Sequence, residues 1–92
     1  MTDLKRNEKH IEKFVKLIED VSKKINNQFE IELPTFRLSI DNNIFRTDIT
    51  IYQLNSNKEN TISCNKDGYF LYGMIVIDFP LLEKELKEVL ND

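Results

Sequence analysis

Residues 68–80 read GYFLYGMIVIDFP, and they decide how many layers the fold needs. From Tyr69 to Ile77 no residue is charged, and all but Gly73 are apolar or aromatic. A half-solvated strand alternates apolar with polar residues, whereas a continuous apolar run gives a strand with two greasy faces. Read with period two, the strand runs to Ile77 and places Leu71, Ile75 and Ile77 on one face, with Phe70, Tyr72, Met74 and Val76 on the other. Asp78 then serves as a helix N-cap, and Pro80 is tolerated in a first turn where its missing N–H costs little. The closing segment FPLLEKELKEVL aligns Phe79, Leu82, Leu86 and Val89 along one stripe, as an amphipathic helix requires.

Upstream of this stretch, the Asp-Gly ending of NKDG marks a turn. A four-residue connection pairs Cys64 with Tyr69 and Ile62 with Leu71, so TISC is a short strand following the polar loop NSNKEN. Earlier still, Phe29, Ile31 and Leu33 alternate with Glu30 and Glu32, and Phe36, Leu38 and Ile40 alternate with Arg37 and Ser39. The parity shifts at Pro34, which predicts a bulge or break there, with both halves facing one core. A tight turn centred on Asn42 and Asn43, residues that tolerate positive φ, pairs Ile40 with Phe45, Leu38 with Thr47, and Phe36 with Ile49. It sets Arg37 against Asp48 on the opposite face, and the following strand spans 44–54. A slip of one residue would mix the faces.

The chain begins with a helical pattern. Ile11, Phe14, Ile18, Val21 and Ile25 recur at spacings of three and four, with Leu4 one heptad earlier and no Gly or Pro in residues 3–28. Thr2 is the expected N-cap. Glu12 with Lys16, Glu19 with Lys23, and Asp20 with Lys24 are favourable i,i+4 pairs for a solvated face. The apolar stripe could form a coiled-coil seam, but Val15 and Leu17 widen it towards packing on a sheet. The predicted architecture is α+β in one domain over residues 1–92: a four-stranded, mainly antiparallel sheet with a long N-terminal helix and a short C-terminal helix, in the order α-β-β-β-β-α.

Composition limits what such a domain can do. At 92 residues, a chain buries only about 60 to 65% of its unfolded surface. Hydrophobic residues make up 40% and charged residues 32%, as in ordinary globular proteins. Ala is absent while Lys, Asn and Ile are abundant, a bias expected of AT-rich coding such as that of a low-GC bacterium or a phage. No apolar run approaches the roughly 18 residues of a membrane span, and no signal-peptide core follows the charged N-terminus, so the expected location is cytoplasmic. The net charge is −3, with a mildly basic segment up to Gln28 and an acidic remainder.

The templates of catalysis do not fit. Gly68 and Gly73 are the only glycines, too few for a phosphate-cradling loop. His10 and Cys64, the only imidazole and the only thiol, fall in different elements, which offers neither a clustered metal site nor a ready nucleophile–base pair. The expectation is therefore no enzymatic activity, no cofactor and no metal. Glu30, Glu32 and Asp48 could form an acidic surface strip, but nothing in the pattern buries them to raise a carboxyl pKa. Lys5, Lys9, Lys13 and Lys16 share one side of the first helix, yet Glu8 and Glu12 interrupt them and the sequence pI is about 5.2, which argues against direct nucleic-acid binding.

What remains is surface. Phe29, Ile31, Leu33, Phe36, Leu38, Ile40, Phe45, Ile49, Ile51, Ile62, Cys64, Leu71, Ile75 and Ile77 supply one core face, with the long helix as its lid. The second face receives Tyr52, Leu54, Phe70, Tyr72, Met74 and Val76, together with Ile44. Either the C-terminal helix covers it, or both helices share the core face and this one meets another protein or a second copy. Large exposed apolar patches mark interaction sites, so these residues are the expected interface of a homodimer or protein complex. The expected function is that of a small protein-binding factor, most concretely an inhibitor or an immunity or anti-defence (anti-restriction) protein of a phage or mobile element. The alternatives are an acidic DNA mimic that occupies a nuclease, or a nucleic-acid-binding module using the first-helix lysines.

Overall fold

The computed structural model describes residues 8–73 and 76–92, with side chains described from His10 onward. It shows an α+β fold in the order α1 (Glu8–Ile25), β1 (Glu30–Glu32), β2 (Phe36–Asn42), β3 (Thr47–Gln53), β4 (Lys58–Asn65), β5 (Gly68–Tyr72) and α2 (Phe79–Leu90). The strands form one antiparallel sheet in the spatial order β1-β2-β3-β4-β5, each hydrogen-bonded to its neighbours in sequence. The sheet has five strands rather than four. The extra strand arises at Pro34, where the chain reverses instead of bulging: Leu33 N donates to Phe36 O at 2.9 Å, leaving Pro34 and Thr35 as the centre of a tight turn. Residues opposed across such a turn share a face, which accounts for the parity shift.

Both helices pack on one face. Ile11, Phe14, Val15, Ile18 and Val21 of α1 and Leu82 and Leu86 of α2 bury with Ile31, Leu33, Phe36, Leu38, Ile49, Ile51 and Ile62 of the sheet. Packing of the α1 stripe on the sheet is thus the outcome from Ile11 to Val21, while Ile25 is exposed and Thr2 and Leu4 lie outside the described residues. Phe14 also meets Phe79 edge-on, with ring centroids 5.1 Å apart. The α1 C-terminus is closed by Asn26 in the left-handed region (φ 57) and by Asn27 N donating to Ser22 O at 3.1 Å, a Schellman arrangement built on Asn instead of Gly. Of the expected i,i+4 pairs on α1, Asp20 instead meets Lys16 at 3.0 Å, and Lys24 donates to the Leu90 and Asp92 carbonyls. A cation therefore lies at the negative end of α2.

The β2–β3 hairpin differs in register from the expectation. Ile40 opposes Ile49, Leu38 opposes Ile51 and Arg37 opposes Tyr52. Asn43 N donates to Arg46 O at 3.0 Å, so Ile44 and Phe45, not Asn42 and Asn43, occupy the centre of the turn. The cause is the Asn43 side chain, whose Oδ1 accepts from Phe45 N at 2.8 Å and Arg46 N at 2.9 Å. Asn acts here at the first turn position, where it bonds forward to the backbone, instead of supplying positive φ at the centre. Phe45 and Phe29, both expected in the core, are exposed.

The final strand is also shorter than its apolar run. It ends at Tyr72, and Gly73 turns the chain out of the sheet at φ +145. Two polar side chains on the core face hold the departing segment. Asn60, buried, donates from Nδ2 to Tyr72 O at 3.2 Å and accepts from Ile77 N at 2.7 Å, and Gln53 Oε1 accepts from Asp78 N at 2.9 Å. Asp78 caps α2 by accepting from Leu81 N. Ile77 reaches the core as expected, by crossing towards α2 and not as part of a strand; Ile75 lies outside the described residues.

Candidate functional site

With both helices on one face, the other side of the sheet has no helical layer among the described residues. Its strand register sets out three cross-strand rows: Arg37, Tyr52 and Glu59; then Ser39, Thr50, Thr61 and Tyr72; then Asp41, Asp48, Ser63 and Phe70. The middle row is a hydroxyl stripe, with Thr50 Oγ1 and Thr61 Oγ1 3.5 Å apart, and aromatic rings flank it. Tyr52 is 40% and Tyr72 37% exposed, while Phe70 is half-buried.

The six expected interface residues separate. Tyr52, Phe70 and Tyr72 share this open face. Leu54 is exposed in the β3–β4 connection, where its N–H donates to Thr35 O. Val76 is exposed on the segment that has already left the sheet, and Met74 lies outside the described residues. Ile44, also assigned to this face by alternation, sits at the hairpin tip. Among the described residues, the open face is consequently less oily and more hydroxylated than period-two extrapolation implied.

The acidic residues separate as well. Glu30 and Glu32 are exposed on β1, where they oppose Ser39 and Arg37. Asp48 lies on β3 and opposes Asp41, and its neutralising partner is Arg46 at 3.0 Å, not Arg37. No group of three or more His, Cys, Asp or Glu side chains among the described residues is placed to hold a metal ion. Of the helix lysines, Lys13 is exposed and Lys16 is engaged by Asp20, whose hydrogen bond and charge raise the lysine pKa; Lys5 and the Lys9 side chain lie outside the description. No helix among the described residues is long and apolar enough to cross a membrane.

A second feature was not anticipated. At the hairpin end of the core face, α1 overhangs a cleft of about 380 Å³. Val15 and Ile18 form its wall, Ile40, Ile49, Cys64 and Tyr69 its floor, and Glu19 and Lys23 stand at the rim. Burial and, secondarily, the charges of Glu19 and Asp48 push the Cys64 thiol up to about 11, so it remains a neutral thiol at ordinary pH. His10 is exposed on α1 and stacks edge-on against Phe14 at 5.1 Å; it does not line the Cys64 cleft.

Comparison with known proteins yields no matching family model, curated protein or solved structure.

Proposed function

We propose that this chain is a small non-enzymatic protein-binding factor that works as a homodimer and engages another protein through its open sheet face. The observation that carries this proposal is the placement of Tyr52, Phe70 and Tyr72 around a hydroxyl stripe on a face with no helical layer among the described residues. Tyr offers large contact area with few rotatable bonds and a polar tip, and protein interfaces are enriched in Tyr and Arg; Arg37 stands beside Tyr52 on this face. Ser and Thr keep such a surface wettable, which suits a partner that comes and goes better than a permanently buried contact. The most concrete role of this kind is an inhibitor or an immunity or anti-defence protein of a phage or mobile element, supported by small size, a residue bias matching AT-rich coding, and an acidic sequence. The DNA-mimic alternative gains nothing from carboxylates that are divided between β1 and β3, with Arg37 and Arg46 among them.

Photo-cross-linking tests the open face directly. A benzoyl-phenylalanine at position 52 or 72 is expected to trap one discrete protein in host cells, while the same group at exposed Glu12 does not. Tyr72→Glu should abolish that capture and leave the circular dichroism spectrum unchanged. Equal background at all three positions would overturn the assignment.

A further inference from the structure

We propose that the Ile44–Phe45 hairpin tip of one copy seats in the cleft beneath α1 of a second copy, and reciprocally, forming a two-fold dimer. This rests on the homodimer proposed above and leaves Tyr52 and Tyr72 of each open sheet face free for a different protein.

The tip is an apolar projection held in a defined shape. Ile44 is 90% and Phe45 79% exposed, yet the turn that carries them is fixed by three hydrogen bonds involving Asn43. The turn requires a suitable residue at its first position, which Asn43 supplies; it does not require two large hydrophobes at its centre. A rigid projection loses little conformational freedom when it docks, so most of the gain from burying it is retained.

The cleft lies at the same end of the molecule. Asn42 and Thr47, opposed across the hairpin just below the tip, also line the cleft, as do the floor residues Cys64 and Tyr69, which continue the same cross-strand row. The cleft offers half-buried Ile40, Cys64 and Tyr69 to an apolar insert, backed by the buried Val15, Ile18 and Ile49, and its size falls in the range of sites that enclose small apolar groups.

Charge also matches. Asp41 faces Asp48 across the hairpin, but Arg46 neutralises only Asp48. Lys23 at the cleft rim has no ion-pair partner among the described residues. Insertion of the tip brings the unmatched carboxylate of one copy towards the unmatched ammonium of the other. Because projection and cleft occupy one end of the chain, a single two-fold rotation can satisfy both contacts, and the assembly closes at two copies. So small a contact makes a dimer that dissociates on dilution.

Sedimentation velocity over a concentration series tests the assignment, with maleimide labelling of Cys64 as a second readout. The wild-type chain should pass from monomer to dimer as concentration rises, and Cys64 labelling should slow in parallel. Ile44→Ser combined with Phe45→Ser alters only exposed positions and should give a folded monomer whose Cys64 labels at the dilute wild-type rate at every concentration. Asp41→Lys and Lys23→Asp should each weaken association by about fivefold, and their combination should restore it. A double-serine variant that dimerises like wild type overturns this inference and leaves the homodimer intact. A wild-type chain that is monomeric throughout overturns the homodimer as well, while cross-linking from position 72 still reports on the open face. Dimerisation without slower Cys64 labelling places the tip elsewhere and overturns the cleft assignment. So does concentration-independent Cys64 protection by a co-purifying small molecule, detected by native mass spectrometry.

Discussion

Gly73 shows how one backbone position can overrule a strand pattern. A Cβ there would lie 1.8 Å from Asn60 Nδ2 and 2.9 Å from Glu59 O, at a φ of +145 that L side chains rarely adopt. Gly73→Ala should therefore cost about 1–3 kcal/mol, read as a lower urea midpoint at unchanged slope; an unshifted midpoint would contradict the close approach. Cys64 makes a second prediction at this scale. Its pKa is raised from 9.0 to about 11, chiefly by desolvation, so the folded state favours the neutral thiol. The associated stability is complete below pH 9 and is lost as pH rises towards about 11. Iodoacetamide alkylation of native chain should keep accelerating above pH 9, whereas urea-unfolded chain should level off near that value. Coincident profiles would show that the thiol is solvated.

Elements join through a few polar contacts at places where ladder bonding stops. Thr35, in the β1–β2 turn, donates its N–H to Glu85 Oε1 at 3.0 Å, and Glu85 is itself buried on α2. Glu85→Leu should cost about 1–3 kcal/mol by leaving this donor unpaired, while Glu85→Gln retains an acceptor and most of the stability; thermal unfolding of the two variants separates these outcomes. Periodicity made both helices and the buried Ile31, Leu33, Phe36, Leu38, Ile49, Ile51 and Ile62 legible in the sequence, but it placed Phe29 and Phe45 in the core and gave no sign of the buried Gln53 and Asn60. It could not locate the β2–β3 turn, because moving it from Asn42–Asn43 to Ile44–Phe45 displaces each strand by an even number of residues and leaves every face unchanged. The same ambiguity hid the tip as an exposed projection. At Pro34 a bulge and a tight reversal give identical alternation, so the strand count was equally undetermined. The end of β5 depends on Asn60, a side chain from another strand, and no local pattern carries that information. The placement of Tyr52, Phe70 and Tyr72 on one face follows from alternation because they lie within regular strands, whereas Leu54 and Val76 lie beyond the ends of β3 and β5, where alternation no longer fixes a face.

At the scale of the whole molecule, spatial order follows chain order across the sheet, and among the described residues the helices and the segment leading into α2 bring distant parts of the chain together. Sequence-local pairing lowers the entropy lost in closing loops, so refolding should be fast for a protein containing so much sheet. Hairpins held by Asn43 can form early, with the α1–α2 contact arriving after the principal barrier. Asn43→Ala should then act mainly on the refolding arm of a stopped-flow chevron. Leu86→Ala, which should cost about 2–5 kcal/mol, should act mainly on the unfolding arm. The reverse partition would mean that helix docking nucleates the chain. In the predicted order, opening begins by lifting α2 and bares the oily side of an already assembled sheet, so the lifetime of the native state is set by the grip of one short terminal helix.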